Sequence, residues 1–266
     1  MDFTINRYKA LIIRLQSKGY HFITFNAYLK NKEADLPEKF VILRHDVDLL
    51  PNHSLRFAKI QAQLGIKGSY YFRAVPQSWN ENVIKMIHKL GHEIGYHYEN
   101  LTTCNGNIPA AIEDFRFHLQ KLRELVPVDT ICMHGSPQSR YDSKDIWKTY
   151  NYREMGILGE PYFDVDFDKM FYLTDTGRRW DGMNVSIRDN VFQQKQWTSQ
   201  QQVYHSTEDI IHAIGNDTLP AKIMFTFHPQ RWNDSFPAWF KELIFQNIKN
   251  IVKFLMKRRM KKNYQH

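Results

Sequence analysis

Short apolar runs alternate along this chain with segments in which apolar residues recur at helical spacing. The apolar runs are rich in β-branched and aromatic residues, which favour strands. We predict extended segments at 20–25, 39–44, 68–72, 92–97, 129–133, 170–173, 185–187 and 222–227. Helices are predicted at 5–16, 55–64, 81–90, 112–125 and 206–214, after 142 or 143, and from about 237 onward. This alternation indicates an α/β protein.

The strongest strand candidates are apolar without interruption, as in the KFVILR run at 39–44 and the KIMFTF run at 222–227. Continuous apolar strands are typical of a parallel sheet that is covered on both faces. No repeat or flexible linker interrupts the pattern, so we predict one domain over residues 1–266. The sheet is expected to be either open and doubly wound or closed into a barrel. The motifs GxGxxG and GxxxxGK[ST] are absent, which disfavours dinucleotide and P-loop functions.

The composition fits a folded protein, because 42% of the residues are hydrophobic and 14% are aromatic. The N-terminal segment does not resemble a signal peptide, and no stretch approaches the roughly 20 apolar residues of a membrane-spanning helix. The two cysteines, Cys104 and Cys132, lack the CxxC spacing of a metal site. From these features we expect a cytoplasmic protein.

The formal net charge of +8 is concentrated near the C-terminus, where lysine and arginine dominate residues 253–262. A solvated helix end, favoured by the helix dipole, accounts for such a cluster. Peripheral contact of this basic C-terminal helix with an anionic membrane, or with a lipid-linked glycan, is the alternative to this simpler interpretation. Nucleic acid is not expected as a partner, because no recognition motif accompanies the charge.

Histidine or aspartate follows five of the predicted strands at the point where each strand ends. These polar strand ends are His45-Asp46-Val47-Asp48, His97, His134, Asp175 and His228. The carboxyl ends of parallel strands share one rim, and ligands of α/β folds bind there. The sequence therefore predicts a functional site on this rim.

The two aspartates suggest the chemistry of the site. Asp46 and Asp48 are two residues apart, so in an extended chain both carboxylates point to the same face. Two like charges this close need a cation or a proton nearby. One carboxylate with neutral imidazoles is a common ligand set for Zn²⁺ or a similar divalent ion, while a second carboxylate can serve as a general base. A purely structural alternative has the aspartates capping the next helix or pairing with Arg44.

These motifs resemble those of the polysaccharide deacetylases, carbohydrate esterase family 4. The segment GHEIGYH at 91–97 is similar to the family's second motif, and residues 45–48 are similar to the first motif of its Asp-x-Asp branch. The resemblance extends over about 39–230 and implies a distorted (β/α) barrel of about seven parallel strands. It also implies a divalent metal, with zinc the expected ion. The implied roles are general base for Asp46, metal ligand for Asp48 and His97, and general acid for His228.

One position departs from the family's pattern. The family's second metal histidine lies four residues after the first, and in this chain that residue is Leu101. A third protein ligand must therefore come from elsewhere. His134 is the first candidate, and Glu99 is the second because it lies two residues beyond His97.

The resemblance also suggests which residues contact the substrate. The family's third motif is reduced here to residues 134–137 with an arginine nearby, and residues 175–180 correspond to an acidic, tryptophan-bearing loop. Trp180 is expected to stack on a sugar ring, although a tryptophan that packs within its own loop is the alternative. The expected substrate-binding residues are Glu99, Arg140, Asp175, Arg179 and Trp180.

The resemblance implies hydrolysis of an acetamido group, or of an acetyl ester, on a sugar. We expect a nucleotide-linked or lipid-linked carbohydrate substrate from the biosynthesis of a surface polysaccharide such as lipopolysaccharide or capsule. Two alternatives stay open. One is hydrolysis of another C–N bond, such as that of a ureide or formamide, and the other is a catalytically degenerate glycan-binding protein, which Leu101 favours.

Overall fold

The computed structural model describes residues 1–136, 139–181 and 191–263, with side chains as far as residue 254. The strands are β1 His21–Ile23, β2 Phe40–Val47, β3 Ser69–Phe72, β4 Glu93–Tyr98, β5 Ile131–Met133, β6 Phe171–Thr174 and β7 Lys222–Phe227. The longer helices are α1 Ile5–Ser17, α2 Phe25–Lys30, α3 Pro51–Gln63 and α4 Glu81–Lys89, followed by the short α5 Asn100–Thr103. The later helices are α6 Ile108–Arg123, α7 Pro161–Asp164, α8 Gln194–Ser199, α9 Thr207–Gly215 and α10 Phe236–Asn263.

Most predicted elements are found close to their expected positions. The helix expected after 142 or 143 is instead a 3-10 helix, Ser143–Lys148. Asp142 caps its first turn by accepting a hydrogen bond from the Lys144 N–H. Helix α3 begins four residues earlier than expected, because Pro51 occupies its first turn, a position that proline tolerates well. The extended segment expected at 185–187 lies outside the described residues, as does residue 137 of the reduced third motif.

Every strand pairing in the described sheet is parallel, and the order is β5-β4-β3-β2-β7-β6. Strand β2 is the centre of the sheet. One of its edges pairs first with β1 and then with β3, while the other edge pairs with β7 along Phe40–His45. All eight residues of β2 are buried, as expected for a strand covered on both faces. The predicted parallel α/β sheet of seven strands is therefore confirmed.

The sheet curls so that distant strand ends meet. In a flat sheet β5 and β2 would lie about 14 Å apart, three strand spacings of about 4.8 Å. His134 follows β5 and Asp48 follows β2, yet His134 Nε2 is 3.5 Å from Asp48 Oδ1. In the described part of the chain no hydrogen bonds join β5 to β6, so the curled sheet is open there.

Residues 159–164 pack beside β5 at this open side of the sheet. Glu160 accepts a hydrogen bond from the Met133 N–H of β5, and the Tyr162 ring lies against the guanidinium of Arg44. Burial raises the pKa of the Glu160 carboxyl to about 7. A short segment of irregular chain and the helix α7 thus cover the β5 side of the curled half-barrel.

Strand alternation separates His45 from the aspartates that follow it. The His45 ring lies on the opposite face of β2, stacked on Tyr70 at 4.1 Å between ring centroids. Its Nδ1 contacts the Ser69 carbonyl oxygen at 3.1 Å, and its Nε2 lies 2.8 Å from Gln61 Nε2. Burial lowers the pKa of His45 to about 3. His45 is therefore a neutral core residue.

The buried state of His45 predicts a pH dependence of stability. Between about pH 6.5 and pH 3 the unfolded chain binds a proton at His45 that the native protein does not, so stability falls as the pH is lowered. We expect His45→Gln to reduce the slope of unfolding free energy against pH by about 1.4 kcal/mol per pH unit in this window. Urea unfolding at several pH values measures the slope. Equal slopes in the two proteins would mean that His45 is protonated in the native state.

Candidate metal centre

The carboxyl ends of β2, β4, β5 and β7 bring five of the predicted side chains together on one rim. Asp46 and Asp48 come from the end of β2, His97 from β4, and His134 and His228 directly follow β5 and β7. All five lie within a chain of contacts no longer than 3.8 Å from one side chain to the next. The rim predicted from the strand ends is therefore present.

Asp48, His97 and His134 have the spacing of a metal-binding triad. Asp48 Oδ1 is 3.6 Å from His97 Nε2 and 3.5 Å from His134 Nε2, and one ligand atom from each residue lies within 4.8 Å of the others. In a tetrahedral zinc site with bonds of about 2.1 Å, neighbouring ligand atoms are about 3.4 Å apart. The three side chains therefore need little adjustment to bind one ion.

An unsatisfied atom at the centre of this triad supports the same conclusion. Asp48 Oδ1 is buried and accepts no hydrogen bond from the described residues. A buried carboxylate oxygen without a partner is costly. A divalent cation at this point would satisfy the oxygen, and one carboxylate with two imidazoles is a donor set that suits zinc. The residues present thus fit the metal implied by the sequence.

Hydrogen bonds fix both imidazoles in the orientation that a metal requires. His97 Nδ1 lies 2.9 Å from the Cys132 carbonyl oxygen, and His134 Nδ1 lies 2.8 Å from Glu99 Oε2. These oxygens only accept hydrogen bonds, so each Nδ1 carries the proton and each Nε2 presents its lone pair. Metal-binding histidines are commonly held in this way.

The electrostatics of the triad favour an ionised carboxylate. Burial alone would raise the pKa of Asp48, but the imidazoles of His134, His97 and His228 hold it well below its usual range. Burial would likewise lower the pKa of His97, yet the nearby carboxylates of Asp46 and Asp48 raise it. The carboxylate and the imidazoles thus stabilise each other in the absence of an ion.

Asp46 lies beside the triad and is held by Arg44. Arg44 Nε donates to Asp46 Oδ1 at 2.8 Å, and its Nη2 donates to Oδ2 at 2.6 Å. Asp46 Oδ2 is also 3.6 Å from His97 Nε2. The pairing with Arg44, one of the structural alternatives, is therefore present, and it leaves the carboxylate on the side of the metal ligands. The capping alternative is wrong, because α3 has no side-chain cap at its first residue.

Cys132 adds a second possible group of ligand atoms. Its Sγ, a carboxylate oxygen of Asp46 and a ring nitrogen of His97 also lie within 4.8 Å of one another. All three residues are buried, and Asp46 is already engaged by Arg44. His97 belongs to both groups. The group with Asp48 is better suited to an ion because its carboxylate oxygen has no competing partner.

His228 stands on the other side of Asp48 and is positioned by Asp175. His228 Nε2 is 3.8 Å from Asp48 Oδ2. Asp175 is fully buried and accepts hydrogen bonds from the His228 N–H at 2.9 Å and from Nδ1 at 2.5 Å. It also accepts from Arg231 Nη1 at 3.1 Å and from Trp232 Nε1 at 2.7 Å. Protein donors therefore surround the Asp175 carboxylate, and a substrate contact from Asp175 stays a prediction.

Glu99 supports His134 through its carboxylate, and a contact of Glu99 with substrate or metal stays a prediction. Its carboxylate is bound by Arg73 Nε at 2.8 Å and by His134 Nδ1, so both oxygens are occupied. Arg73 also donates to the Asp48 carbonyl oxygen at 3.2 Å. Sequence reasoning missed Arg73, although it directly follows β3 and so lies at the same rim. Gln230 was missed too, and its Nε2 donates to Asp48 Oδ2 at 3.2 Å.

The remaining predicted substrate contacts lie apart from the triad. Trp180 is only 4% exposed and packs edge-on against Phe225 and Phe227, with Nε1 donating to Thr207 Oγ1 at 3.0 Å. The indole is packed inside the protein, as the alternative interpretation expected, and stacking of Trp180 on a sugar stays a prediction.

Arg179 and Arg140 are partly or fully exposed. Arg179 makes a two-point ion pair with Asp181, at 2.5 and 2.7 Å, whose carboxylate also contacts His205. Arg140 is exposed and donates to the Tyr141 hydroxyl at 2.6 Å. Neither arginine is brought to the triad by these contacts. A substrate contact from either stays a prediction.

Leu101, four residues after His97, does not provide the third metal ligand. Leu101, at the position of the family's second metal histidine, is 3% exposed and belongs to the hydrophobic core. It lies in α5, which directly follows Glu99. His134 reaches Asp48 and His97 from the end of β5 instead. The second imidazole of the triad thus comes from the end of β5, and not from the residues that follow β4.

No protein-family profile matches this sequence, and no curated protein sequence is significantly similar to it. Solved structures of carbohydrate esterase family 4 proteins are similar to this chain at low identity. A family esterase from Streptococcus mutans has 13% identity and a TM-score of 0.45, with 90% of each chain covered. A family pseudoenzyme from Bacillus anthracis has 15% identity and a TM-score of 0.41, with 78% of this chain covered.

A third similar structure is the esterase domain of a multidomain xylanase from the hindgut metagenome of Trinervitermes trinervoides. It has 11% identity and a TM-score of 0.40, and the match covers 80% of this chain and 84% of that one. The match to the pseudoenzyme spans 60% of that protein's length. Similarities at this identity and TM-score do not by themselves define an activity for the chain.

Replacement of the buried Asp175 carboxylate is expected to lower the free energy of unfolding strongly. Asp175→Asn removes the negative charge and turns an amide N–H₂ toward buried donors, which leaves the Arg231 guanidinium without its partner. We expect a loss of about 3–5 kcal/mol in the free energy of unfolding, as for other broken buried ion pairs. Urea unfolding measures the loss. The control Glu208→Gln breaks the exposed ion pair with Arg7 and should cost no more than about 1 kcal/mol.

The effect of Asp175 also has a defined pH window. Burial would raise the pKa of Asp175, but His228 and Arg231 outweigh burial and lower it. The stabilisation that ionised Asp175 gives the native state is therefore complete above the pKa of aspartate in the unfolded chain. It is lost as the pH falls through the lower pKa of Asp175 in the folded protein. The difference between wild type and Asp175→Asn should therefore shrink at acid pH. A difference that stays constant down to low pH would contradict the assignment of an ionised Asp175.

Proposed function

We propose that this protein is a metal-dependent hydrolase that removes an acetyl group from an N-acetylated sugar. The observation that carries the proposal is the triad of Asp48, His97 and His134, flanked by Asp46 on one side and His228 on the other. Two ligand-type imidazoles and a carboxylate, with a further carboxylate and a further imidazole in reach, are the groups that amide hydrolysis requires.

The triad would hold the ion, and a bound divalent metal supplies Lewis-acid polarisation of the acetyl carbonyl and a lowered pKa for water. Asp46 accepts the proton of the attacking water. Both of its oxygens are held by Arg44, yet each carboxylate oxygen has a second lone pair, and Oδ2 presents this one toward His97. Arg44 thus orients the base without blocking it.

His228 donates a proton to the leaving amine. Its Nδ1 proton is held by Asp175, and the Asp175 carboxylate stabilises the doubly protonated ring that carries a second proton on Nε2. The carbonyl carbon gains a bond to the water oxygen as its bond to nitrogen breaks. Acetate and the free amine of the sugar are the products, and the two proton transfers balance.

The proposed substrate is a carbohydrate of surface-polysaccharide biosynthesis, such as a nucleotide-linked or lipid-linked precursor of lipopolysaccharide or capsule. An acetamido group is favoured over an acetyl ester because His228 can protonate a leaving amine, which amide hydrolysis needs more than ester hydrolysis does. A cytoplasmic location stays a prediction. The degenerate glycan-binding alternative loses its main support, because His134 provides the imidazole that Leu101 cannot.

Acetate release tests the activity. Purified protein with added Zn²⁺ or Co²⁺ is expected to release acetate from glycans that contain N-acetylhexosamine. Formate and ammonia are measured in parallel, because their release in place of acetate would identify a different C–N bond as the target. Absence of acetate across a broad panel of such glycans would overturn the proposal.

The ligand set predicts which variants lose metal. Asp48→Ala and His134→Ala each remove one ligand, and we expect zinc affinity to fall by more than about 100-fold in both. Zinc content after gel filtration, measured by elemental analysis, provides the readout. His118→Ala is the matched control, since His118 lies on the surface of α6 and pairs with Asp114. Full zinc content in His134→Ala would place the third ligand elsewhere.

The role of Asp46 is tested separately from metal binding. Asp46→Asn keeps the shape of the side chain and removes the proton acceptor, so kcat should fall about 10²–10⁴-fold. Zinc content should stay at the wild-type level, because Asp46 is not one of the proposed ligands. Thermal unfolding verifies that the variant is folded despite its altered contact with Arg44. An unchanged kcat would exclude Asp46 as the base.

A further inference from the structure

Helix α10 has a polar side that faces the protein. Trp239 Nε1 donates to the Asp2 carbonyl oxygen at 2.6 Å, and Asn250 Nδ2 donates to the Gly177 carbonyl oxygen at 2.8 Å. Gln246, on the same side of the helix, is 3% exposed. A helix at the surface of a globular protein ordinarily buries its apolar side. In α10 the side chains that face inward are mainly polar.

The outward side of α10 is correspondingly apolar. Its exposed apolar side chains are between 45% and 63% accessible: Phe240, Ile244, Phe245, Ile248, Ile251 and Val252. Positions 240, 244, 248 and 251 recur at the spacing of one helix face. So many large apolar side chains exposed on one helix are uncommon on a monomer and mark a contact with a membrane or another protein.

The charge of the helix favours an anionic surface as the occupant. After Glu242 the sequence contains no acidic residue and seven lysines and arginines: Lys249, Lys253, Lys257, Arg258, Arg259, Lys261 and Lys262. Two copies of this helix, each from a chain of net charge +8, would repel each other. Anionic lipid headgroups attract such a segment, and each basic residue near them adds to the binding.

We propose that α10 lies in the plane of an anionic membrane, with its apolar side among the lipid chains and its basic residues at the headgroups. Amphipathic helices with aromatic and aliphatic residues on one side and basic residues around them bind membranes in this manner. No helix in the described part of the chain is long and apolar enough to cross a membrane.

Helix α10 lies close to the strand-end rim, so its contact with a membrane affects which substrate can reach the rim. The helix begins shortly after His228, and its inner side contacts Gly177 and Arg178, which follow Asp175. A membrane-bound α10 therefore holds the strand-end rim near the lipid headgroups. If the chain deacetylates sugars, a consequence that rests on the proposed function, the substrate at this rim is a glycan carried on a lipid.

Vesicle cosedimentation of the full chain tests the membrane contact without any assay of activity. We expect binding to vesicles of phosphatidylcholine with phosphatidylglycerol, at least about tenfold weaker binding to pure phosphatidylcholine, and weakening by added salt. Ile244→Glu with Ile248→Glu should reduce binding at least about tenfold, since each isoleucine leaves the lipid. The matched control Phe117→Glu replaces an apolar residue of α6 that is 53% exposed, and its binding should equal that of the wild type.

Two results would overturn the membrane contact. One is vesicle binding that is unchanged in the double variant. The other is a stable dimer in light scattering without lipid that the double variant dissociates, because the apolar side would then be an interface between two copies.

Activity separates the membrane contact from the proposed reaction. The double variant should turn over a free acetylated sugar at the wild-type rate and a vesicle-embedded one more slowly. Equal rates on the embedded sugar would overturn the lipid-linked substrate. Lack of turnover on every sugar would count against the proposed reaction alone, since vesicle binding is measured independently.

Discussion

Two carboxylates at the end of one buried strand impose the main constraint on this structure. Removing Asp46 and Asp48 from water costs several kcal/mol for each charge unless partners compensate. Arg44 compensates Asp46 from two residues earlier on the same strand, where the pleat places both side chains on one face. Asp48 is instead surrounded by imidazoles from three other strand ends. The curl of the sheet is what brings those imidazoles within reach.

A second set of contacts holds the imidazoles in place. Glu99, itself fixed by Arg73, orients His134, and a carbonyl oxygen of β5 orients His97. Asp175 does the same for His228. The rim therefore consists of an inner group of five side chains and an outer group that fixes the tautomers of the three histidines. Rigid support of this kind keeps reactive groups within the small tolerances that catalysis requires.

The sequence alone predicts the inner group well and the outer group poorly. Alternation along a strand places Asp46 with Asp48, and the shared edge of parallel strands places His97, His134 and His228 near them. Burial of individual polar side chains cannot be read from spacing. Asp175 and Trp180 are expected at the surface, yet both are buried against the chain that follows β7, and Trp180 also stacks on Phe3. Arg73 was overlooked because an arginine after a strand is common on protein surfaces.

The pairing of β2 with β7 has a consequence for the order in which the molecule assembles. The proposed metal ligands lie at the ends of β2, β4 and β5, so all of them have been synthesised long before His228 emerges from the ribosome. Until then the β7-side edge of β2 has no partner, and its apolar KFVILR run is open to strand addition by another chain. Pairing with β7 protects this edge, and a metal ion bound before β7 arrives would stabilise the half of the sheet that is already present.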